Sequence, residues 1–372
     1  MSERLSRRAL NRATLARQLL LERAAMPVVE AVERLAGLQA QTPHTWYAGL
    51  GVRLDGVTPQ DVAELLVSRR LVRLALMRST IHLVSARDAL RLRPLVQPVL
   101  DRDLFKNFTH AKPVEGLDMA ELVAAARPLL EEKPLTSKQL GALLAEHGRA
   151  AGWGDRAPAS LAYAARCMMA LVQVPPRGVW GSSGPIAHTT AEAWLGEPLA
   201  AGTAPDELIM RYLAAFGPST VMDAQTWSGL TRLKEVMERL RPRLVTFEDE
   251  KGRELFDLPD APRPGPDVPA PPRLLYDFDN LLLSHADRSR VITGHFEARN
   301  YRVRRPVPSI VLIDGFTAGE WTLDHQGDQA TLTIKTYDEP EPADAEALEA
   351  EAHRMIGFAA ADAGTRKVHI TR

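Results

Sequence analysis

The spacing of apolar positions predicts helices over most of the first 258 residues, and the stretch 205–258 shows their order most clearly. PDELIMRYLAAF is amphipathic and predicts a helix, Ser219 is the expected cap after a Gly-Pro turn, and VMDAQTW predicts a short second helix. Thr231 is the expected cap of a third helix, and RLVTFEDEKGRELFDL predicts two strands around a polar turn. A helix-turn-helix followed by such a two-stranded wing is typical of nucleic-acid-binding proteins.

The same order of elements is predicted twice more. In the middle of the chain Thr136 is the expected cap of a helix ending at Gly148, and APASLAYAARCMMALV precedes a hairpin-like segment. Nearer the start, TPQDVAELLVSRR predicts a helix, and LVRLALMRSTIHLVS predicts two strands. Because winged helices also serve as protein-interaction scaffolds, the pattern alone leaves both uses open.

Beyond a proline-rich connection the pattern changes to strands. Seven prolines between 258 and 272 indicate a linker, and RLLYDFDNLLLS, SIVLIDG, GEWTLDH and ATLTIKTY predict strands around one helix. The predicted fold class is therefore α+β, with three tandem winged-helix (helix-turn-helix) motifs followed by a C-terminal β-rich, barrel-like domain. The expected boundaries are 1–110, 111–200 and 201–258 for the three motifs, 259–272 for the linker, and 273–372 for the β-rich domain.

Charge is unevenly distributed along a chain whose net charge is only −1. The segment 288–305 has six arginines against one glutamate, whereas 338–351 has seven acidic residues and no base. This distribution favours one face for a polyanion, although scattered surface arginines fit the counts equally well. No apolar run is long enough to cross a membrane, no signal-peptide core follows the basic start, and the lone Cys167 lies in an apolar run. We expect a cytoplasmic monomer, associated with the nucleoid when bound to DNA.

Two carboxamides stand where the apolar stripe of a predicted helix should close. Val28, Val32 and Leu35 mark that stripe, Gln39 returns to the same face, and Gln41 follows shortly before a proline that should end the helix. The structural interpretation is a helix-end amide bonded to nearby backbone, because a buried amide without partners is costly.

Common catalytic and cofactor motifs are missing from the sequence. We find no P-loop, no Rossmann fingerprint and no zinc-ligand spacing, so we expect no nucleotide cofactor and no metal. The Gly-Ser-Ser-Gly at 181–184 lacks the full nucleophile-elbow pattern and predicts a turn. Asp277 and Asp279, on one side of a strand-like segment, are interpreted as structural or salt-bridged.

Five stretches together resemble a bacterial superfamily of winged-helix DNA glycosylases, the AlkZ type. They follow one another in the family order over nearly the whole chain: GLQAQTPHTWYAGLGVRL at 37–54, LALMRSTIHLVSARD at 74–88, GPSTVMDAQTWSGL at 217–230, LLYDFDNLLLSHADR at 274–288 and VLIDGFTAGEW at 311–321. The resemblance implies three winged-helix motifs and a β-rich C-terminal domain, in agreement with the pattern above.

The resemblance also implies that Gln39 and Gln41 are the catalytic residues, because the family signature is Gln, an apolar residue, then Gln or Asp. A carboxamide can position water but is a negligible base, so it suffices only when the leaving base is already good. An N7-alkylguanine or N3-alkylpurine carries a positive charge that is relieved when its glycosidic bond breaks. The resemblance thus implies a monofunctional glycosylase acting on double-stranded DNA with alkylated purines, and the second glutamine resembles the branch that acts on bulky and crosslinked adducts.

Other residues in the matching stretches and in the arginine-rich segment are expected to contact substrate or DNA. Arg78, Ser79, Thr80 and His82 lie in a predicted hairpin, for which a plain turn is the alternative, and Trp46 and Tyr47 are either stacking aromatics or core. The full set of expected contacts is His44, Trp46, Tyr47, Arg78, Ser79, Thr80, His82, Arg299, Arg302, Arg304 and Arg305.

A winged-helix transcription regulator without catalysis is the main rival interpretation. A regulator would have no need of two amides at 39 and 41, and release of free base from N7-methylguanine DNA distinguishes the two. The sequence leaves open whether the role is general repair or self-resistance to a genotoxic natural product.

Overall fold

The computed structural model describes residues 3–202, 204–299 and 307–372. Its α-helices, in chain order, are α1 (Arg7–Arg17), α2 (Val28–Arg34), α3 (Thr45–Gly51), α4 (Pro59–Val67), α5 (Ala86–Leu95), α6 (Gln97–Lys106), α7 (Met119–Glu132), α8 (Ser137–Ala150), α9 (Pro158–Met168), α10 (Ala191–Leu195), α11 (Asp206–Phe216), α12 (Val221–Ser228), α13 (Leu233–Leu240), α14 (Gly294–Ala298) and α15 (Pro342–Ala359). Its strands are β1 (Arg4–Leu5), β2 (Leu38–Gln39), β3 (Leu71–Ala75), β4 (Ile81–Ser85), β5 (Leu135–Thr136), β6 (Leu171–Gln173), β7 (Ala187–Thr190), β8 (Val245–Asp249), β9 (Glu254–Asp257), β10 (Arg273–Leu275), β11 (Ser309–Ile313), β12 (Phe316–Gln326), β13 (Gln329–Thr336) and β14 (Thr365–Thr371).

The chain forms two compact units, and the first combines residues 1–62, 209–227 and 232–372. Its main sheet has the strand order β10-β11-β12-β13-β14, antiparallel except for the last pair. Strand β14 runs parallel to β13 because α15 connects the two and packs on the sheet. Within the described residues this sheet is open, so the barrel-like closure expected from the sequence is not found.

A second, smaller sheet of the first unit joins the start of the chain to a hairpin. Strand β1 pairs parallel with β8, which pairs antiparallel with β9. Helix α1 follows β1 with Ser6 as its cap, and it carries Arg12 and Arg17 into the interior. Arg12 pairs with Asp314, and Arg17 makes two bonds of 2.6 and 2.8 Å to Asp257. These two buried arginines therefore hold distant parts of the unit together.

The second unit comprises residues 63–208 and 228–231. Strands β3 and β4 form an antiparallel hairpin, and β6, β7 and β5 extend the sheet from β3 in antiparallel pairs. Helices α7, α8 and α9 pack on one another, and α8 begins with a capping box of Thr136 and Gln139. Cys167 is buried on α9, and burial raises the pKa of its thiol to about 11, as expected of a core cysteine.

Most predicted elements are present, but several termini differ from the prediction. Helix α12 is capped by Thr220, whose hydroxyl accepts from Asp223 N, while the predicted cap Ser219 donates to Phe216 O. Arg232, in a left-handed conformation, precedes α13 in place of Thr231, and α8 continues to Ala150. The winged-helix assignment of these elements and the predicted domain boundaries stay predictions.

In the described part of the chain, no helix is both long and apolar enough to span a membrane.

Candidate functional site

The segment that carries the two glutamines is extended, contrary to the predicted helix end. Helix α2 ends at Arg34 because Ala36 and Gly37 take left-handed backbone conformations, with φ of 57° and 84°. Their amides bond back to Glu33 O and Val32 O, which is the hydrogen-bond pattern of a Schellman motif. Strand β2 then includes Gln39, so this residue does not lie on the helix face.

The two glutamines differ in exposure. Gln39 is buried, with 4% of its surface exposed, whereas Gln41, two residues later, is exposed. The site thus offers one carboxamide within the protein and one at the surface. Such a pair can position water and a sugar without providing a base.

The segment 276–280 fixes the backbone of this region from more than 200 residues away. The Tyr276 hydroxyl donates to Gln39 O at 2.9 Å, and Gln39 N donates to Asn280 Oδ1 at 3.1 Å. The Asn280 amide also donates to Gly37 O. Both backbone groups of Gln39 are therefore held by side chains, which restrains the position of its own side chain.

The two aspartates of segment 276–280 have different partners. Asp279 accepts two bonds of 2.8 and 2.7 Å from Arg53, and both side chains are buried, as the salt-bridged interpretation predicted. Asp277 accepts from the hydroxyls of Thr42 at 2.5 Å and Thr45 at 2.7 Å. Tyr276, Asp277 and Asn280 lie in one of the five family-like stretches but were not predicted as site residues from the sequence.

The expected aromatic contacts are placed in the interior of the first unit. Trp46 and Tyr47 on α3 are fully buried and stack with ring centroids 4.0 Å apart, which fits the core alternative stated for them. His44 is half-buried and left-handed, with φ of 71°, and immediately precedes α3. Any DNA contact by these three residues stays a prediction.

The second unit contains the hairpin turn with Arg78, Ser79 and Thr80. Arg78 and Ser79 have left-handed backbones, and Ser79 Oγ donates to Asp103 at 2.6 Å. The Thr80 hydroxyl donates to Met77 O at 3.0 Å. One of these bonds lies within the turn and the other joins it to α6. The three side chains are half-buried, so the turn still reaches the surface.

His82, on β4, is buried in the second unit. Burial and the nearby charge of Arg78 lower the pKa of its imidazole to about 3, and its Nδ1 lies 2.9 Å from Thr80 O. The ring is therefore neutral near pH 7 and donates from Nδ1. A phosphate contact by His82 as a cation does not fit this environment.

A cationic surface cavity of the second unit includes Arg102 and Lys106, two residues that were not predicted from the sequence. Its volume is about 560 Å³, and Arg78, Arg102 and Lys106 line it together with Asp103. Arg102 and Lys106 are four residues apart on α6 and therefore share one face of the helix. The spacing of Arg102 and Lys106 could have indicated a cationic helix face from the sequence. Only the fold shows that this face lies beside Arg78.

Of the expected phosphate contacts in the arginine-rich segment, only Arg299 is described. Its guanidinium lies 4.0 Å from the centre of the Tyr337 ring and donates to His295 O at 2.9 Å, and the residue is exposed. Arg302, Arg304 and Arg305 lie outside the described residues. Over the same described residues, no group of three His, Cys, Asp or Glu side chains is placed to hold a metal ion.

Comparison with known proteins gives one family and one similar solved structure. The sequence model of the family "DNA glycosylase AlkZ-like" matches residues 32–358, and no curated protein matches the chain. The Streptomyces sahachiroi DNA glycosylase AlkZ matches with a TM-score of 0.78 at 22% identity, over 99% of this chain and 100% of that one. That similarity supports the fold, while the family match covers most of the chain and confirms the resemblance seen in the sequence. The chain belongs to the AlkZ-like family of DNA glycosylases and is a hydrolytic DNA glycosylase.

Proposed function

We propose that this glycosylase is monofunctional and removes cationic N7-alkylguanine or N3-alkylpurine adducts, including bulky adducts and interstrand crosslinks, from double-stranded DNA. The observation that carries the proposal is the Gln39-Ala40-Gln41 segment. Tyr276 and Asn280 hold the backbone of this segment at Gln39. Its role is DNA repair, or self-resistance to an alkylating natural product.

The proposed reaction is hydrolysis at C1′ of the damaged nucleotide. As the C1′–N9 bond breaks, its electron pair moves onto the purine and neutralises the positive charge of the base. Water adds its oxygen to C1′ and releases a proton to solvent, which leaves the free base and an abasic site. Gln39 and Gln41 orient this water and the sugar, and a stronger base is unnecessary because the leaving group is already activated.

We propose that each of the two units contacts DNA. In the second unit, Arg78, Arg102 and Lys106 contact phosphates, since the positive cavity suits a sequence-independent polyanion. In the first unit, the arginine-rich segment including Arg299 has the same role. We also propose that the helices and hairpins around these DNA contacts form the winged-helix motifs predicted from the sequence.

The direct test is the release of 7-methylguanine from a duplex under single-turnover conditions. We expect the free base and an abasic site, with no covalent enzyme–DNA adduct after borohydride reduction. A trapped adduct would contradict the monofunctional mechanism, and gel retardation without base release would favour a regulator. A panel with bulky and crosslinked adducts then defines the substrate range.

A further inference from the structure

A cavity of about 680 Å³ lies in the first unit next to segment 276–280. Asp277 and Phe278 form part of its wall, together with apolar side chains that include Leu283, Ile292 and Phe296. Its volume falls within the range of pockets that bind small organic molecules and exceeds what a single methylated base needs. We refer to it as the adduct cavity.

Asp277 adds a carboxylate to a cavity wall of apolar and polar side chains, which also includes Glu297 and Arg288. Its oxygens accept from Thr42 Oγ1, Thr45 Oγ1 and Phe278 N, all of which are neutral donors. Among the described residues no Lys or Arg forms an ion pair with it, whereas Asp279, two residues later, is paired with Arg53. A half-buried carboxylate whose hydrogen-bond donors in the described part of the chain are all neutral attracts a positively charged ligand.

The same hydrogen bonds connect the adduct cavity to the glutamine segment. Thr42 directly follows Gln41, and Thr45 begins α3, so both hydroxyls hold Asp277 against the chain that carries Gln39 and Gln41. Tyr276, the residue before Asp277, binds Gln39 O. Hydrogen bonds to Asp277 itself and from the preceding Tyr276 therefore connect this carboxylate to the proposed catalytic segment.

We propose that the adduct cavity binds the alkylated purine together with the group attached to it, and that Asp277 selects for the positive charge of that base. Phe278 and Phe296 offer apolar surfaces for the flat ring and its substituent. This assignment rests on the proposed function, since it identifies the group that recognises the cation in the same site. It makes Asp277 a specificity-determining residue and leaves water positioning to the glutamines.

Binding to two hydrolysis-resistant duplexes tests the selection for charge. One contains 2′-fluoro-7-methylguanine, which is cationic, and the other contains 7-methyl-7-deazaguanine, its neutral isostere. We expect the wild type to bind the cationic duplex about tenfold or more tightly than the neutral one, because the half-buried carboxylate attracts only the charged base. Asp277→Asn should remove this preference and leave the affinity for the neutral duplex unchanged, because asparagine can still bond both threonines.

Two further variants complete the test. Asp324→Asn removes an exposed carboxylate outside the cavity and should retain the preference. Ala286→Trp puts a large ring on the cavity wall, and it should weaken binding of a bulky N7 adduct more than binding of the 7-methyl duplex.

The outcomes separate this inference from the proposed function. An unchanged charge preference in folded Asp277→Asn, or no preference in the wild type, would overturn the role of Asp277. Equal losses for small and bulky adducts in Ala286→Trp would overturn the cavity assignment. Failure of the wild type to release any alkylated base would instead contradict the proposed function, because the binding assays do not depend on hydrolysis.

Discussion

Gln39 and Gln41 are expected to contribute to the same reaction with different effects on stability. Gln41 is exposed, so Gln41→Ala should change the free energy of unfolding by less than about 0.5 kcal/mol. Gln39 is buried, so Gln39→Ala should cost about 1–3 kcal/mol. Each should lower the single-turnover rate by tens- to hundreds-fold, roughly 2–3 kcal/mol, because each removes a transition-state contact.

Melting curves and base-release rates on the same preparations check this prediction. Gln41→Asp, which restores the family's other second residue, is the matched variant and should retain activity on 7-methylguanine. If folded Gln39→Ala and Gln41→Ala excised at the wild-type rate, the two residues would have no part in the mechanism.

His82 is expected to make stability depend on pH. Its pKa is about 3 in the folded protein and about 6.5 in the unfolded chain, so the unfolded chain binds more protons between these values. The contribution of neutral His82 to the free energy of unfolding is therefore fully present above about pH 6.5 and decreases as the pH falls. At pH 5 the free energy of unfolding should be lower by about 2 kcal/mol. Urea unfolding at pH 7 and pH 5 should therefore show a smaller difference for His82→Asn than for the wild type. An NMR titration midpoint near 6.5 for His82 in the folded protein would refute the buried, neutral assignment.

Single residues also show what the sequence could and could not predict. The glutamine pair was identified because its residues are neighbours in a family-like stretch. The roles of Tyr276 and Asn280 depend on contacts across more than 200 residues, so no local pattern reveals them. Asp277 and Asp279 look alike in the sequence, and only the fold shows that Arg53 neutralises just the second.

At the scale of elements, α6 provides a test of the DNA surface. Arg102→Glu with Lys106→Glu should weaken binding to damaged and undamaged duplex alike, since phosphate contacts carry no information about the lesion. The slope of log affinity against log salt should fall by about two, one for each lost contact. Arg149→Glu, an exposed charge change on α8 outside the cavity, is the control. If only the discrimination between damaged and undamaged DNA changed, phosphate positioning would be the wrong role.

Elements governed by local sequence were predicted well, and those governed by distant contacts were not. Thr136 was correctly predicted as the cap of α8, and the β8–β9 hairpin follows from its alternating pattern. The end of α2 was missed because Ala36, which is not a glycine, takes a left-handed conformation. A barrel-like domain was predicted where the structure has an open sheet. The parallel pairing of β14 with β13 depends on where α15 packs, which the sequence pattern does not show.

At the scale of the whole molecule, buried ion pairs join distant parts of the chain. Arg53→Met should lower the free energy of unfolding by about 3–5 kcal/mol, because it leaves the Asp279 carboxylate buried without its cation. The double variant Arg53→Met with Asp279→Asn should recover part of that loss, since no buried charge remains. Urea unfolding of the wild type, the single variants and the double variant measures the coupling. Additive losses would show that the pair has no energetic coupling.

The first unit is discontinuous in sequence, and this has a consequence for its folding during synthesis. Residues 1–62 leave the ribosome first, yet Arg12 and Arg17 find their partners only when Asp314 and Asp257 have been made. The second unit is almost contiguous and can fold while the early segment waits for Asp257 and Asp314, about 200–250 further residues or on the order of 10–50 seconds of translation. During that interval α1 is an unpaired arginine-rich stretch on the nascent chain, so the N-terminal segment is where chaperone binding or proteolysis should act on the growing protein.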